Sequence, residues 1–271
     1  MLSKRAKWKH AKASHISIFK IMTLFFVTII PFIVIPFLVA SEFITAATRA
    51  PSRAAAADTH PALSRYAKGN LPPSAEIGYG YSVVTAMKEM GLSLDHFDAW
   101  ISEHPGSSIK HIKYMTNSMQ RDVAGIALFI RKSNRRIDEK TAWREAAALV
   151  HYSAKYGVPA ALTTAVAAAE SSFNPDAVSS KGASGVMQVM WNIHNGLLRS
   201  NGIQGAPGRN PLSDPEHAIA AGCLLLSRYI RAYGSVQKAM DRYSGASSSS
   251  YRHKVNINIA KLMNHQAGLF D

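Results

Sequence analysis

A mainly α-helical protein is the class this sequence predicts, and three observations predict it. Ile109, Ile112, Met115, Met119, Val123, Ile126 and Ile130 recur at steps of three and four, the spacing of one helix face. From residue 138 onward, helix start and stop signals follow one another at helical lengths. No segment shows strand-like alternation of comparable strength, so any β content is minor.

The chain has 271 residues and begins with a basic tail, residues 1–20, holding Lys4, Arg5, Lys7, Lys9, Lys12 and Lys20 and no acid. Residues 21–40, IMTLFFVTIIPFIVIPFLVA, carry no charge. A helix of that length spans roughly 30 Å, the thickness of a bilayer's hydrocarbon core. The basic flank and Glu42 beyond the run predict an N-terminus in the cytoplasm and a body across the inner membrane, in the periplasm. The segment reads as a single-pass transmembrane anchor or as a cleaved secretory signal; both readings export the body. Residues 41–76, with Pro51, Pro61, Pro72, Pro73 and the alanines 54–57, form a linker.

Residues 77–137 are expected to form an accessory helical region, with the 109–130 stripe facing a core and Lys110, Lys113, Arg121, Arg131 and Lys132 on other faces. Residues 138–271 make the denser helical domain. Asp138–Glu139 opens a helix through Trp143, Ala146, Ala147 and Val150 that stops at Gly157. A second runs from Ala160 to about Ser172, and a Ser-, Gly- and Pro-rich loop follows from Asn174 to Gly185. Asp214-Pro215-Glu216 reads as N-cap, first residue and acidic first turn of a helix ending near Gly234. Shorter helices follow at 235–242 and 252–264.

The formal net charge of +14 leaves 25 basic against 17 acidic residues, a net +8, from residue 41 onward. That balance suits an anionic polymer, but no motif supports nucleic acid. The single cysteine, Cys223, excludes an intramolecular disulfide, and no Cys/His cluster has zinc-ligand spacing.

Glu170 stands at the end of the apolar run Ala165-Val166-Ala167-Ala168-Ala169. Partial burial and the negative end of a helix both push a carboxylate's pKa upward, which a general acid needs near neutral pH. In the loop beyond it, Gly182 and Gly185 permit tight turns, and Gln188 offers the donors and acceptors that sugar hydroxyls and acetamides require. Met187, Met190 and Trp191 add apolar surface. The other candidate acids have structural readings: Asp176 in a proline turn, Asp214 as an N-cap, Asp241 on the surface.

The run from Glu170 to Met190, ESSFNPDAVSSKGASGVMQVM, resembles the signature of the soluble lytic transglycosylase-like (SLT) family. Leu212–Glu216 with Ala220-Ala221-Gly222, and Tyr243-Ser244-Gly245, resemble two further family patches; the resemblance covers roughly residues 141–265. Trp191 stands where the family usually has proline, and Ser244 where asparagine is commoner. The resemblance implies a lysozyme-like helical domain that cleaves the MurNAc–GlcNAc bond of peptidoglycan glycan strands, leaving 1,6-anhydro-MurNAc ends. It implies Glu170 as sole acid/base, with no cofactor and no metal. It further implies Ser179 orienting that carboxylate, Gln188 and Met190 lining the saccharide cleft, Tyr243 pointing its hydroxyl at Glu170, and Tyr251 bordering the cleft. Ser184 joins this substrate-binding set. Two alternatives stand beside it: a hydrolytic muramidase, and a weakly catalytic or non-catalytic wall-binding component of an envelope-spanning secretion or conjugation apparatus.

Overall fold

Asp138 begins the central helix by accepting the Thr141 N–H at 2.9 Å, and Gly157, with φ of 68°, ends it. Between them Ala142, Trp143, Ala146, Leu149 and Val150 lie buried along one helix at the centre of the core. A computed structural model describes residues 78–205 and 208–270. The basic tail 1–20, the apolar segment 21–40 and the linker 41–76 lie outside the described residues. Among the described residues no helix is long and apolar enough to cross a membrane.

Nine α-helices occur in the described residues: α1 Tyr81–Glu89, α2 Asp95–Glu103, α3 Asn117–Ser133, α4 Glu139–Tyr156, α5 Ala160–Ser171, α6 Trp191–Ser200, α7 Pro215–Tyr233, α8 Val236–Ser244 and α9 Ser249–Ala267. Short 3-10 turns occupy Ser108–Tyr114 and Pro211–Ser213. No β-strand forms among these residues; two isolated antiparallel bridges, Val178 with Ser184 and Ser184 with Val189, pinch the loop after α5. The helix α4 lies between α3 and α7, α5 packs on α9, and α8 packs on α7.

The 109–130 stripe is split between two elements. Residues 108–114 wind as a 3-10 helix, Met115 is extended, and α3 starts afresh where Thr116 accepts the Met119 N–H at 3.3 Å. The apolar spacing reads the same through both because each side of the break buries the same face: Ile109, Ile112, Met115, Val123 and Ile126 are all buried.

Residues 78–137 share one core with the helices that follow. Phe97 packs edge-on against Trp143 at 5.0 Å, and Tyr79 covers Phe97 at 5.3 Å. Buried Gln120 ties the entry of this region down, donating to the carbonyls of Gly78 and Met115 and accepting the Gly80 N–H. Glu216, in the first turn of α7, accepts from the Ser107 hydroxyl at 2.7 Å, the Ser108 N–H at 2.6 Å and Arg144 Nε at 2.9 Å. One buried carboxylate thereby joins the 3-10 segment, α4 and α7.

Cys223 is buried in α7, and burial pushes its thiol up to about 12, so it stays a neutral core residue at physiological pH. The helix α6 was not marked by sequence pattern: Asn192, Asn195 and Gly196 interrupt it, and Leu198 is its one buried residue.

Candidate active site

Glu170 is the penultimate residue of α5, a helix buried along most of its length. The chain then reverses abruptly. Ser172 and Phe173 both adopt left-handed backbone, with φ of 53° and 64°, a conformation that costs non-glycine residues about 1–3 kcal/mol each. The turn is held because Phe173 is fully buried, edge-on to Phe129, and because its polar groups are satisfied. Ser171 Oγ donates to the Val186 carbonyl at 2.7 Å and accepts the Asn174 N–H at 3.1 Å, while Asn134 Nδ2 donates to the Ser172 carbonyl at 2.9 Å. The strained reversal places the half-buried Glu170 carboxylate beside the loop that returns from Asn174 to Met190.

That loop is a closed structure of its own. The Gln188 amide nitrogen donates to the carbonyls of Ala177 at 2.9 Å and Gly185 at 3.0 Å. Gln188 itself has φ of 48°. Ser184 is buried and accepts from Asn210 Nδ2 at 2.8 Å, and the Ser179 hydroxyl accepts the Ala183 N–H at 3.0 Å. Gly185, with φ of 75°, lies so close to the 3-10 turn before α7 and to α7 itself that a Cβ there would meet the Leu212 carbonyl oxygen at 2.2 Å and the Ala218 Cβ at 2.9 Å.

These placements differ from several expectations. Ser179, expected to orient the Glu170 carboxylate, closes its own tight turn, and the donor on Glu170 is Tyr251. Ser184 works behind the loop, and the amide nitrogen of Gln188 is spent on loop carbonyls, leaving its carbonyl oxygen as the group it can offer outward. Tyr243 lies on α8 and its hydroxyl donates to the Met187 carbonyl at 2.8 Å rather than to Glu170. Tyr251 takes the place foreseen for Tyr243: its hydroxyl donates to Glu170 Oε1 at 2.6 Å. Met190 is the half-exposed residue before α6, next to Trp191, over which the Arg199 guanidinium stacks at 5.6 Å.

The electrostatics push the Glu170 carboxyl toward its neutral form. Burial pushes Glu170 up; the Tyr251 hydrogen bond and the Lys254 charge pull it down; the net is upward. Tyr243 and Tyr251 are pushed up by burial first and by Glu170 second, so both hydroxyls keep their protons. The three other candidate acids, Asp176, Asp214 and Asp241, are engaged or exposed. Burial would raise Asp214, but Arg144 and the His217 N–H outweigh it and the net is downward, while its side chain caps α7 through the Glu216 and His217 N–H groups. Asp241 pairs with Arg252 and accepts the Ser248 N–H, joining α8 to α9. Asp176 is exposed in the turn after α5. The sequence did not signal Lys254, whose ammonium donates to the Ala169 carbonyl. It lies one helical turn beyond Tyr251, and that spacing was the available clue.

Residues 148–257 match the family model described as Transglycosylase SLT domain. Over 109 residues the chain is 38% identical to the membrane-bound lytic murein transglycosylase C of Yersinia pestis (strain Pestoides F), covering 37% of this chain and 30% of that protein. The protein of the same name from Yersinia pseudotuberculosis serotype O:1b (strain IP 31758) matches with the same identity and coverage. The chain thus spans about 30% of the length of these relatives. Among solved structures, the 70 kDa soluble lytic transglycosylase from Escherichia coli aligns with a TM-score of 0.31 and 18% identity, over 76% of this chain and 38% of that one.

Proposed function

We propose, from the premise that this chain carries a transglycosylase SLT domain over residues 148–257, that the protein is a peptidoglycan lytic transglycosylase with Glu170 as its single acid/base. The observation that carries this reading is the state of Glu170: a half-buried carboxyl at a helix end, raised toward the protonated form, with one neutral donor on it. In the reaction Glu170 gives its proton to the oxygen between MurNAc and GlcNAc, and the bond from that oxygen to the MurNAc anomeric carbon breaks. The MurNAc C6 hydroxyl then bonds to that carbon and returns its proton to Glu170. The products are a 1,6-anhydro-MurNAc end and a free GlcNAc 4-hydroxyl, and no water is consumed.

A two-carboxylate hydrolase needs a second acid placed against the sugar. Asp214 and Asp241 are each tied to an arginine, which weighs against that rival. Met190 and the Gln188 carbonyl oxygen are the saccharide contacts of this reading, with Tyr251 fixing the orientation of the acid. The apolar segment 21–40 would hold the body outside the cytoplasm, against the wall, and the net +8 would help retain acidic wall chains. A wall-binding scaffold in a secretion or conjugation apparatus is the alternative; a half-buried carboxyl with its pKa raised favours catalysis over it.

The test is digestion of isolated peptidoglycan sacculi by the full chain. Products one water lighter than those of a muramidase are expected, and Glu170→Gln should lower the rate by about 10²–10⁴-fold. Digestion by Glu170→Gln at the unsubstituted protein's rate would overturn the assignment.

A further inference from the structure

The helix α9 turns three donors onto α5 at steps of three and four residues. The Tyr251 hydroxyl donates to Glu170 Oε1, the Lys254 ammonium to the Ala169 carbonyl, and the Asn258 amide to the Ala165 carbonyl at 3.3 Å. The middle contact differs from the others in two ways. It is charged, and it falls on a carbonyl in the last turn of α5, where the left-handed reversal at Ser172 and Phe173 ends the helical hydrogen-bond ladder.

We propose that Lys254 is a positioning residue for Glu170: from α9 it closes the open Ala169 carbonyl at the end of α5 and holds a fixed positive charge beside the carboxylate. The proposal rests on the reading of Glu170 as the acid/base. That reaction makes Glu170 an anion between its two proton transfers. Two features of its setting oppose an anion, namely partial burial and the negative end of α5. The groups that face it are Tyr251 and Lys254 from α9 and Tyr243 from α8. Both tyrosines are neutral, and Tyr243 has its hydroxyl on the Met187 carbonyl. Lys254 is the group of the three that offsets both features by charge. Burial holds the Glu170 pKa above its ordinary value, and Lys254 makes the departure of its proton less costly. By fixing the Ala169 carbonyl, in the last turn of α5, it also sets where the Glu170 side chain begins.

The experiment is the pH dependence of sacculus digestion by full-length variants. A general acid acts in its protonated form, so activity falls as pH rises through the Glu170 value. Lys254→Gln keeps a donor for the Ala169 carbonyl but removes the charge. Its alkaline limb is expected about one pH unit higher than that of the unsubstituted protein, with a lower maximal rate. Lys254→Arg restores the limb. Asn258→Ala removes a neighbouring contact without touching charge; it should lower the melting temperature and leave the limb where it was. A folded Lys254→Gln protein whose limb coincides with the unsubstituted one overturns the proposal, as does an equal displacement by Asn258→Ala. These outcomes are separable from failure of the catalytic reading. In that case Glu170→Gln would itself still digest sacculi.

Discussion

The end of α5 and the start of α7 each carry a glutamate shielded from solvent, and the fold treats the two in opposite ways. Glu216 sits at the positive end of its helix and receives three donors, from Ser107, Ser108 and Arg144. Glu170 sits at the negative end of its helix with a single hydrogen bond, from a neutral tyrosine. A fully satisfied carboxylate is an anchor that joins elements far apart in sequence. An under-satisfied one has its pKa raised by burial, which suits a proton donor. Burial is common to both; the number and charge of the donors decide which one can do chemistry.

The sharpest way to break this comparison is to remove the anchor. Glu216→Gln leaves the Arg144 guanidinium, 11% exposed, without its buried partner, and Asp214 on its other side is the remaining acid. Breaking a buried pair of this kind costs about 3–5 kcal/mol, so the urea midpoint should fall steeply. Glu170→Gln should leave the midpoint unchanged or slightly raised, because it removes a carboxyl that burial disfavours. If Glu216→Gln cost under about 1 kcal/mol, the anchor reading of the first turn of α7 would fail.

A second substitution tests the loop that Glu170 faces. Gly185→Ala forces a side chain into left-handed backbone and against the Leu212 carbonyl oxygen, 2.2 Å from the ideal Cβ position. A loss of about 1–3 kcal/mol is expected, together with loss of sacculus digestion, since Gln188 and Met187 hang from the same loop. Unaltered activity and stability would show that the loop can shift away from α7 and that its close approach is not what positions the site.

The helices were largely legible in the sequence because their signals are local. Asp138, Gly157, Asp214 and Gly234 sit at their helix ends as read, and Glu170 ends α5 as expected. The roles within the site were less legible, because hydroxyl direction depends on tertiary placement. Tyr243 and Tyr251 look interchangeable as aromatic residues near the same cleft. Which one reaches Glu170 is decided by how α8 and α9 pack on α7 and α5, and no spacing within the chain encodes that. The family resemblance implies Ser179, Ser184 and Gln188 as site residues, and Gln188 also by its donors and acceptors. Their polar groups instead supply the hydrogen bonds that a loop without strands must find among its own carbonyls and N–H groups. The α6 helix escaped notice because an exposed helix with two asparagines and a glycine has little apolar period to show.

A third carboxyl separates burial from reactivity. Glu145, in the middle of α4, is 0% exposed and neither oxygen has a hydrogen-bond partner; burial holds its pKa well above the usual carboxylate range. It is thus even less satisfied than Glu170, yet it faces the core and can reach no substrate. Because its folded value is raised, the native state holds a proton that the unfolded chain releases. Stability from this group is complete below the ordinary carboxylate range and is lost as pH rises through the window up to the folded value. Glu145→Gln is neutral at every pH, so it should match the unsubstituted protein near pH 4 and exceed it at higher pH. The gap should widen by at most about 1.4 kcal/mol per pH unit until Glu145 ionises in the folded state. Thermal unfolding of both proteins across that range measures the gap. A difference that does not change with pH would mean that folding does not raise the Glu145 pKa. A shortage of donors would then set Glu170 apart from Glu145 and Glu216; with Glu145 buried and unpartnered, it is the half-exposed position of Glu170 at the end of α5 that distinguishes it.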